Sequence, residues 1–333
     1  PSGTVVVRSR QRRGASEREI FDAVRALGAE YGTAVRAVGT GLADAVNNPG
    51  GEPRGEGVSA LGTGSAIAAR PTEIALLAGT PVHPYSFGWA WYTLDRQYRL
   101  PVTVLQVDAV AGTSIADFDT LVVPDLFSAG ALADELGEGG RERLGRWVQD
   151  GGTLVAIAAG VDFVRTGLEL TGLRSWYEEQ AGPAGEDRED ERPAPDGSAE
   201  PVRYTVPGAI LRGAVDPKVW LTAGLRSTEL PLLVDSSRIL LPPAGPPSAG
   251  RRVAVAYAEA EAETGHGAER PLLLSGHAWP ESLERLPGAV FAYDERVGRG
   301  RVIAFAEDVN FRGYWRGADR LFLNAVVLGP AAP

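Results

Sequence analysis

From Glu73 onward, short apolar runs alternate with stretches of helical spacing. Ile74–Ala78, Val102–Val107, Thr120–Val123 and Thr153–Ala158 are runs of strand length, rich in β-branched residues. Between them, Ser86–Arg99 offers Trp89, Tyr92 and Leu94 to a core. Gly140–Gln149 places Leu144, Trp147 and Val148 on one side, and Asp150-Gly151-Gly152 ends it. Strands this continuously apolar predict burial on both faces. With helices between them they predict a doubly wound, mostly parallel α/β sheet. Ligands bind beyond the carboxyl ends of strands in such a sheet, so Gly79–Tyr85, Asp125–Ser128 and Ala158–Asp162 become the positions to watch.

The flanks follow other patterns. Residues 1–70 read as a short strand at Thr4–Val7, a helix over about Ser16–Gly28 and a second strand at Ala34–Val38. Ser16 and Glu19 form a capping box, and Ile20, Val24 and Leu27 make an apolar stripe. Gly39–Gly64, with Asn47-Asn48-Pro49-Gly50-Gly51, is a loop-rich joint. We expect this α/β stretch to be a docking segment or the tail of a preceding domain, with one α/β domain over 71–333. Residues 179–201 are acidic and rich in Pro and Gly, which predicts a flexible surface insertion. Beyond them come short strands with proline turns, such as Ile239–Pro243, Arg252–Ala258 and Leu272–Ser275. Val290–Arg296 and Arg301–Ala306 form a hairpin, and Ala318–Leu328 a closing helix, so antiparallel strands are added to the parallel sheet.

Composition narrows the chemistry. The chain has 333 residues with ordinary globular usage, 44% hydrophobic and 23% charged. It has no cysteine, which removes disulfides, thiolate metal sites and every Cys nucleophile. A net charge of -10 argues against a nucleic-acid groove. The cluster Arg8, Arg10, Arg12 and Arg13 reads as a solvated strand end. No apolar run approaches the length of about 18–20 residues that a membrane span needs. The chain begins at Pro1 and holds no Met, so it is expected to be a mature or excised piece of something longer.

The turn after the fourth run carries the sharpest signal. Ala156-Ile157-Ala158-Ala159-Gly160 stands where an α/β sheet can carry a nucleophile elbow, which lifts one side chain above the sheet and aims backbone N–H groups at an oxyanion. The surrounding order resembles class I glutamine amidotransferase-like domains, whose motif is Gly-Ile-Cys-X-Gly. This resemblance implies a flavodoxin-like, amidotransferase-like sheet. It puts Ala158 at the nucleophile position, where a methyl group cannot attack a carbonyl. The family's histidine follows a late strand in a Gln-Phe-His-Pro-Glu-like run. Here that stretch is Ile303-Ala304-Phe305-Ala306-Glu307-Asp308, with Glu307 near the lost His, so no catalytic residue is assigned.

A narrower resemblance rests on Arg299–Gly317, which runs into Leu321-Phe322-Leu323-Asn324-Ala325. Leu121–Asp125, Trp147–Leu154 and Val206–Ala209 agree with it. Over roughly residues 70–330 the chain is similar to the C-terminal amidotransferase-like region of large bacterial zinc carboxypeptidases. That resemblance implies a non-catalytic domain that docks on, or regulates, a peptidase domain outside this chain, in an extracellular or periplasmic protein. Zinc is expected only in that peptidase domain.

Candidate residues follow. Asp125 either orients a bound group or caps a turn. Glu307, Asp308, Asn310, Arg312, Trp315 and Arg316 form either an ion-paired turn or a recognition patch. With Ser128 and Ala158, the binding candidates are Asp125, Asp308, Asn310, Arg312, Trp315 and Arg316. Two further readings stay open: a hydrolase using Ser275 (with His277) or Ser128, and a sensor of a small metabolite or peptide. The three histidines are His83, His266 and His277. The one His-x-x-Glu, His266–Glu269, lies in a Glu- and Gly-rich loop, and no metal site is expected.

Overall fold

The computed structural model describes residues 7, 16–35, 71–110, 115–181, 205–245, 248, 250–259 and 270–332. The expected strands at Thr4–Val7 and Ala34–Val38, the joint at 39–64 and the His266–Glu269 motif lie wholly or largely outside them. Contacts divide the chain into two compact units near residues 69 and 70. In the first, the helix Glu17–Glu30 has the expected capping box. The Ser16 hydroxyl accepts from the Glu19 N–H at 3.4 Å, and the Glu19 carboxylate accepts from the Ser16 N–H at 2.7 Å. Of its stripe, Ile20 and Val24 are half-buried and Leu27 is exposed.

The second unit is built on one twelve-stranded mixed sheet. Its centre comprises β1 (Ile74–Ala78), β2 (Val102–Gln106), β3 (Thr120–Val123), β4 (Thr153–Ile157) and, arriving last, β12 (Gly300–Phe305). These five run parallel in the order β2-β1-β3-β4-β12, the flavodoxin-like winding. The chain reaches β12 through the hairpin from β11 (Val290–Val297) that the sequence predicts. Beyond β11 the sheet continues antiparallel through β9 (Arg251–Tyr257), β6 (Ala209–Val215) and β10 (Leu273–Gly276). Short strands β5 (Arg174–Ser175), β7 (Glu229–Val234) and β8 (Leu240–Leu241) pair off this path.

Strand alternation fills two layers. Leu76, Val122, Val155, Ile157, Ile303 and Phe305 face one side, with Ala90 and Leu94 of the helical stretch Pro84–Gln97 and Leu321, Phe322 and Ala325 of the closing helix. Ala75, Leu77, Leu121, Val123, Leu154, Ala156, Val302 and Ala304 face the other, covered by Leu132, Leu136, Leu144, Trp147 and Val148 of the helix Ala129–Gln149. β1, β3 and β4 are buried along their whole length. β2 departs from the expectation of two-sided burial: it is the sheet's edge, and Thr103 and Val104 face solvent.

Two boundaries also differ. The helix expected at Gly140 begins at Ala129, because Ser128 caps it; periodicity missed the first half, which is broken at Gly137 by a φ of 61°. The segment expected to be a loop from residue 179 starts inside a helix, Trp176–Ala181. Residues 182–204 lie outside the described set.

Candidate functional site

The parallel strands deliver their carboxyl ends to one edge, and the elbow stands there. β4 stops at Ile157, and Ala158 turns the chain with φ 51° and ψ -119° before the short helix Ala159–Asp162. Such a conformation is strained for a residue with a Cβ, at a cost of order 1–3 kcal/mol. The Ala158 N–H donates to the Phe305 carbonyl at 2.9 Å, and the Val161 N–H to the Ala158 carbonyl at 2.9 Å. A Cβ on Gly160 would stand 2.8 Å from the carbonyl oxygen of Val123 and 3.0 Å from that of Pro124. The final glycine of the five-residue motif is therefore demanded by the close passage of β3's end.

The side chain at the turn, Ala158, is a buried methyl, which is no nucleophile. The N–H after it, which in such elbows faces the oxyanion, donates instead to Asp125 Oδ1 at 2.9 Å. Asp125 is itself fixed: its own N–H donates to the Ser86 hydroxyl at 3.0 Å and its carbonyl accepts from the His83 N–H at 2.8 Å. The two readings of Asp125 meet here. It caps a turn, and in doing so fills the anion position with a carboxylate.

Where a histidine would follow β12, the chain carries two buried acids. Glu307 is 2% exposed and accepts from the Ser236 hydroxyl at 2.6 Å. Burial pushes its carboxyl up to about 8, and the charge of Asp235 adds to this against the opposing hydroxyl and Arg238. Asp308 accepts from the Asn310 N–H at 3.1 Å. Burial pushes it up to about 7, against hydrogen bonds from Ser86 and Asn310 and with help from Asp125 and Asp235. Asp235 follows β7 to the same edge and is also raised, first by burial and then by Asp125. Arg238 spans the group, donating to Asp162 at 3.2 Å and to the Ala306 carbonyl at 3.3 Å.

The structure therefore gathers Asp125, Ala158, Glu307, Asp308 and Asn310 at one edge, with Arg312 near enough for its charge to act on Asp235. It separates the others. Arg316 pairs with Asp319 at 3.7 Å, a carboxylate that also accepts from Gln97 and Tyr98, so it belongs to the ion-paired turn of the two readings. Trp315 is half-buried against Gly317. Ser128 accepts from the Ala131 N–H at 3.1 Å as a helix cap, and among the described residues no hydrogen bond joins it to a histidine. Ser275 is exposed on β10, and the His277 ring packs edge-on to Trp279 at 5.1 Å with no hydrogen bond to that serine. Asp235, Ser236, Arg238 and Ser86 escaped sequence reading. The apolar run Leu232-Leu233-Val234 ending on Asp235 was the one available signal.

Among the described residues, no group of three or more His, Asp or Glu side chains is placed to hold a metal ion. No helix among them is long and apolar enough to cross a membrane.

No protein-family model matches the chain, and no curated protein matches it. Solved structures do. A ThuA-like protein from Parabacteroides merdae is 14% identical over 78% of this chain and 90% of its own, with a TM-score of 0.45. A second ThuA-like protein, from Bacteroides uniformis, is 8% identical over 79% and 93%, with a TM-score of 0.42. A beta-galactosidase from Bacillus circulans is 12% identical over 79% of this chain and 31% of its own, with a TM-score of 0.40. None of these three is described as a carboxypeptidase or an amidotransferase. The chain's own strand order places it among flavodoxin-like sheets.

Proposed function

We propose that this chain is a non-catalytic binding domain of the amidotransferase-like type, an accessory to a zinc carboxypeptidase domain that it docks on or regulates. One observation carries the non-catalytic part: the elbow keeps its backbone shape while Ala158 replaces the nucleophile and Asp125 takes the N–H that would face an oxyanion. Removing both functions from an intact turn leaves a rigid edge suited to contact. The peptidase partner, its zinc and an exported location rest on the resemblance of Arg299–Gly317 and the blocks in register with it.

The purified chain, supplied with zinc and blocked dipeptides, is expected to release no C-terminal amino acid. Turnover that a chelator abolishes and zinc restores would overturn this reading. Added to a zinc carboxypeptidase domain of the resembled family, the chain is expected to change that domain's KM.

A further inference from the structure

The carboxyl edge presents charge and rings together. Asp125 and Asp235 keep solvent exposure there, while Glu307 and Asp308 stand behind them, buried. Of the two nearby arginines, Arg238 is committed to Asp162 and the Ala306 carbonyl. Among the described residues Arg312 makes no ion pair within 4.0 Å; its guanidinium lies 5.0 Å from the centre of the Phe311 ring.

Behind this front, hydrogen-bonding capacity is unused. Asp308 is 9% exposed; Ser86 and the Asn310 N–H, the latter on Oδ1, are its hydrogen-bond donors, and among the described residues none meets Oδ2. Asp125 and Asp235 both act on this carboxyl, so it belongs to their cluster. Asn310 is 0% exposed, and among the described residues neither atom of its side-chain amide has a partner. Polar groups this buried are almost always satisfied, by protein, water or a ligand.

A row of rings lies alongside. Phe127 meets His83 at 4.7 Å, His83 meets Tyr85 at 5.5 Å, Tyr85 stacks on Trp89 at 6.1 Å, and Trp89 meets Phe311 at 5.1 Å. The row starts two residues after Asp125 and ends one residue after Asn310. Tyr85 and Phe127 are each 67% exposed within this row, and contiguous exposed apolar surface of this kind marks interaction sites. Ring faces attract cations, as do carboxylates, and both repel phosphate or carboxylate ligands. Arg312 over Phe311 shows the contact already made once by the chain itself.

We propose that this edge recognises a basic side chain, guanidinium or ammonium, on an extended peptide, with Asp235 and Asp125 taking its charge and the Phe127–Tyr85–Trp89–Phe311 row taking its stem and neighbours. The proposal rests on the reading of the edge as a binding surface, and adds the partner's chemistry. Long basic side chains suit it because their methylenes cover apolar surface while the head stays polar.

The test is calorimetric titration of the full chain with a blocked glycine pentapeptide carrying a central arginine, beside its citrulline isostere. The arginine peptide is expected to bind at least tenfold more tightly than the citrulline one. Asp235→Asn, at an exposed position, is expected to weaken it about tenfold, and Phe127→Ser severalfold. Arg312→Ala is expected to tighten it severalfold by removing the resident cation. Equal binding of the two peptides, no binding of either, or selective binding of a neutral oligosaccharide would overturn the proposal. If both peptides fail while the chain still changes a carboxypeptidase domain's KM, the docking reading stands and this inference falls.

Discussion

Gly160→Ala is expected to destabilise the domain by about 3 kcal/mol, the upper part of the range for forcing extra volume into a packed site. The added Cβ would meet two backbone carbonyl oxygens, of Val123 and Pro124, at 2.8 and 3.0 Å. Backbone cannot swing aside as a side-chain end can. To relieve the clash, either β3's end or the elbow must move, and both are held by the Ala159–Asp125 bond. The neighbouring Ala158→Gly has the opposite sign. Glycine adopts φ 51° without a Cβ penalty, so this change is expected to stabilise by about 1 kcal/mol. Urea unfolding of the two variants beside the parent chain checks both. A Gly160→Ala protein as stable as the parent would show that the elbow is not packed as described.

Stability is expected to fall as pH rises from about 5 to 8, by a total on the order of 6 kcal/mol. Glu307 and Asp308 hold their protons to about 8 and about 7 in the folded chain. Unfolded, they release them near ordinary carboxylate values of about 4. Between those limits the folded state binds more protons than the unfolded one, so each rise in pH favours unfolding. The contribution is fully present below about pH 4 and lost as pH passes the folded values. Each group changes stability by at most about 1.4 kcal/mol per pH unit in that window. Glu307→Gln, which keeps the shape and an acceptor for Ser236, is expected to flatten much of the slope. Thermal unfolding across pH reads it directly; stability that is level or rising between pH 5 and 8 would contradict the burial of these acids.

The parallel half of the sheet was legible because apolar runs buried on two faces are continuous, as β1, β3 and β4 are. β2 has the same composition but lies at the edge, and nothing in a run of Val and Leu says which strand is last in order. The elbow was legible from five residues, since a strand, an abrupt turn and a close-packed glycine leave a local imprint. The acid cluster was not. Asp235, Ser236 and Arg238 follow β7, about 70 residues before Glu307, and meet it through the sheet's antiparallel extension. Arg316 read as part of the patch because it is four residues from Arg312. The turn at Arg312, with φ 54°, leads the following chain to Asp319 instead.

No side chain at this edge is expected to act as a nucleophile. Intact-mass measurement of the native chain after exposure to a fluorophosphonate tests that in one step. An unchanged mass is predicted, because Ser128 is a helix cap and His277 packs on Trp279 without a hydrogen bond to Ser275. A stoichiometric adduct lost on prior unfolding would reveal an activated serine and contradict it.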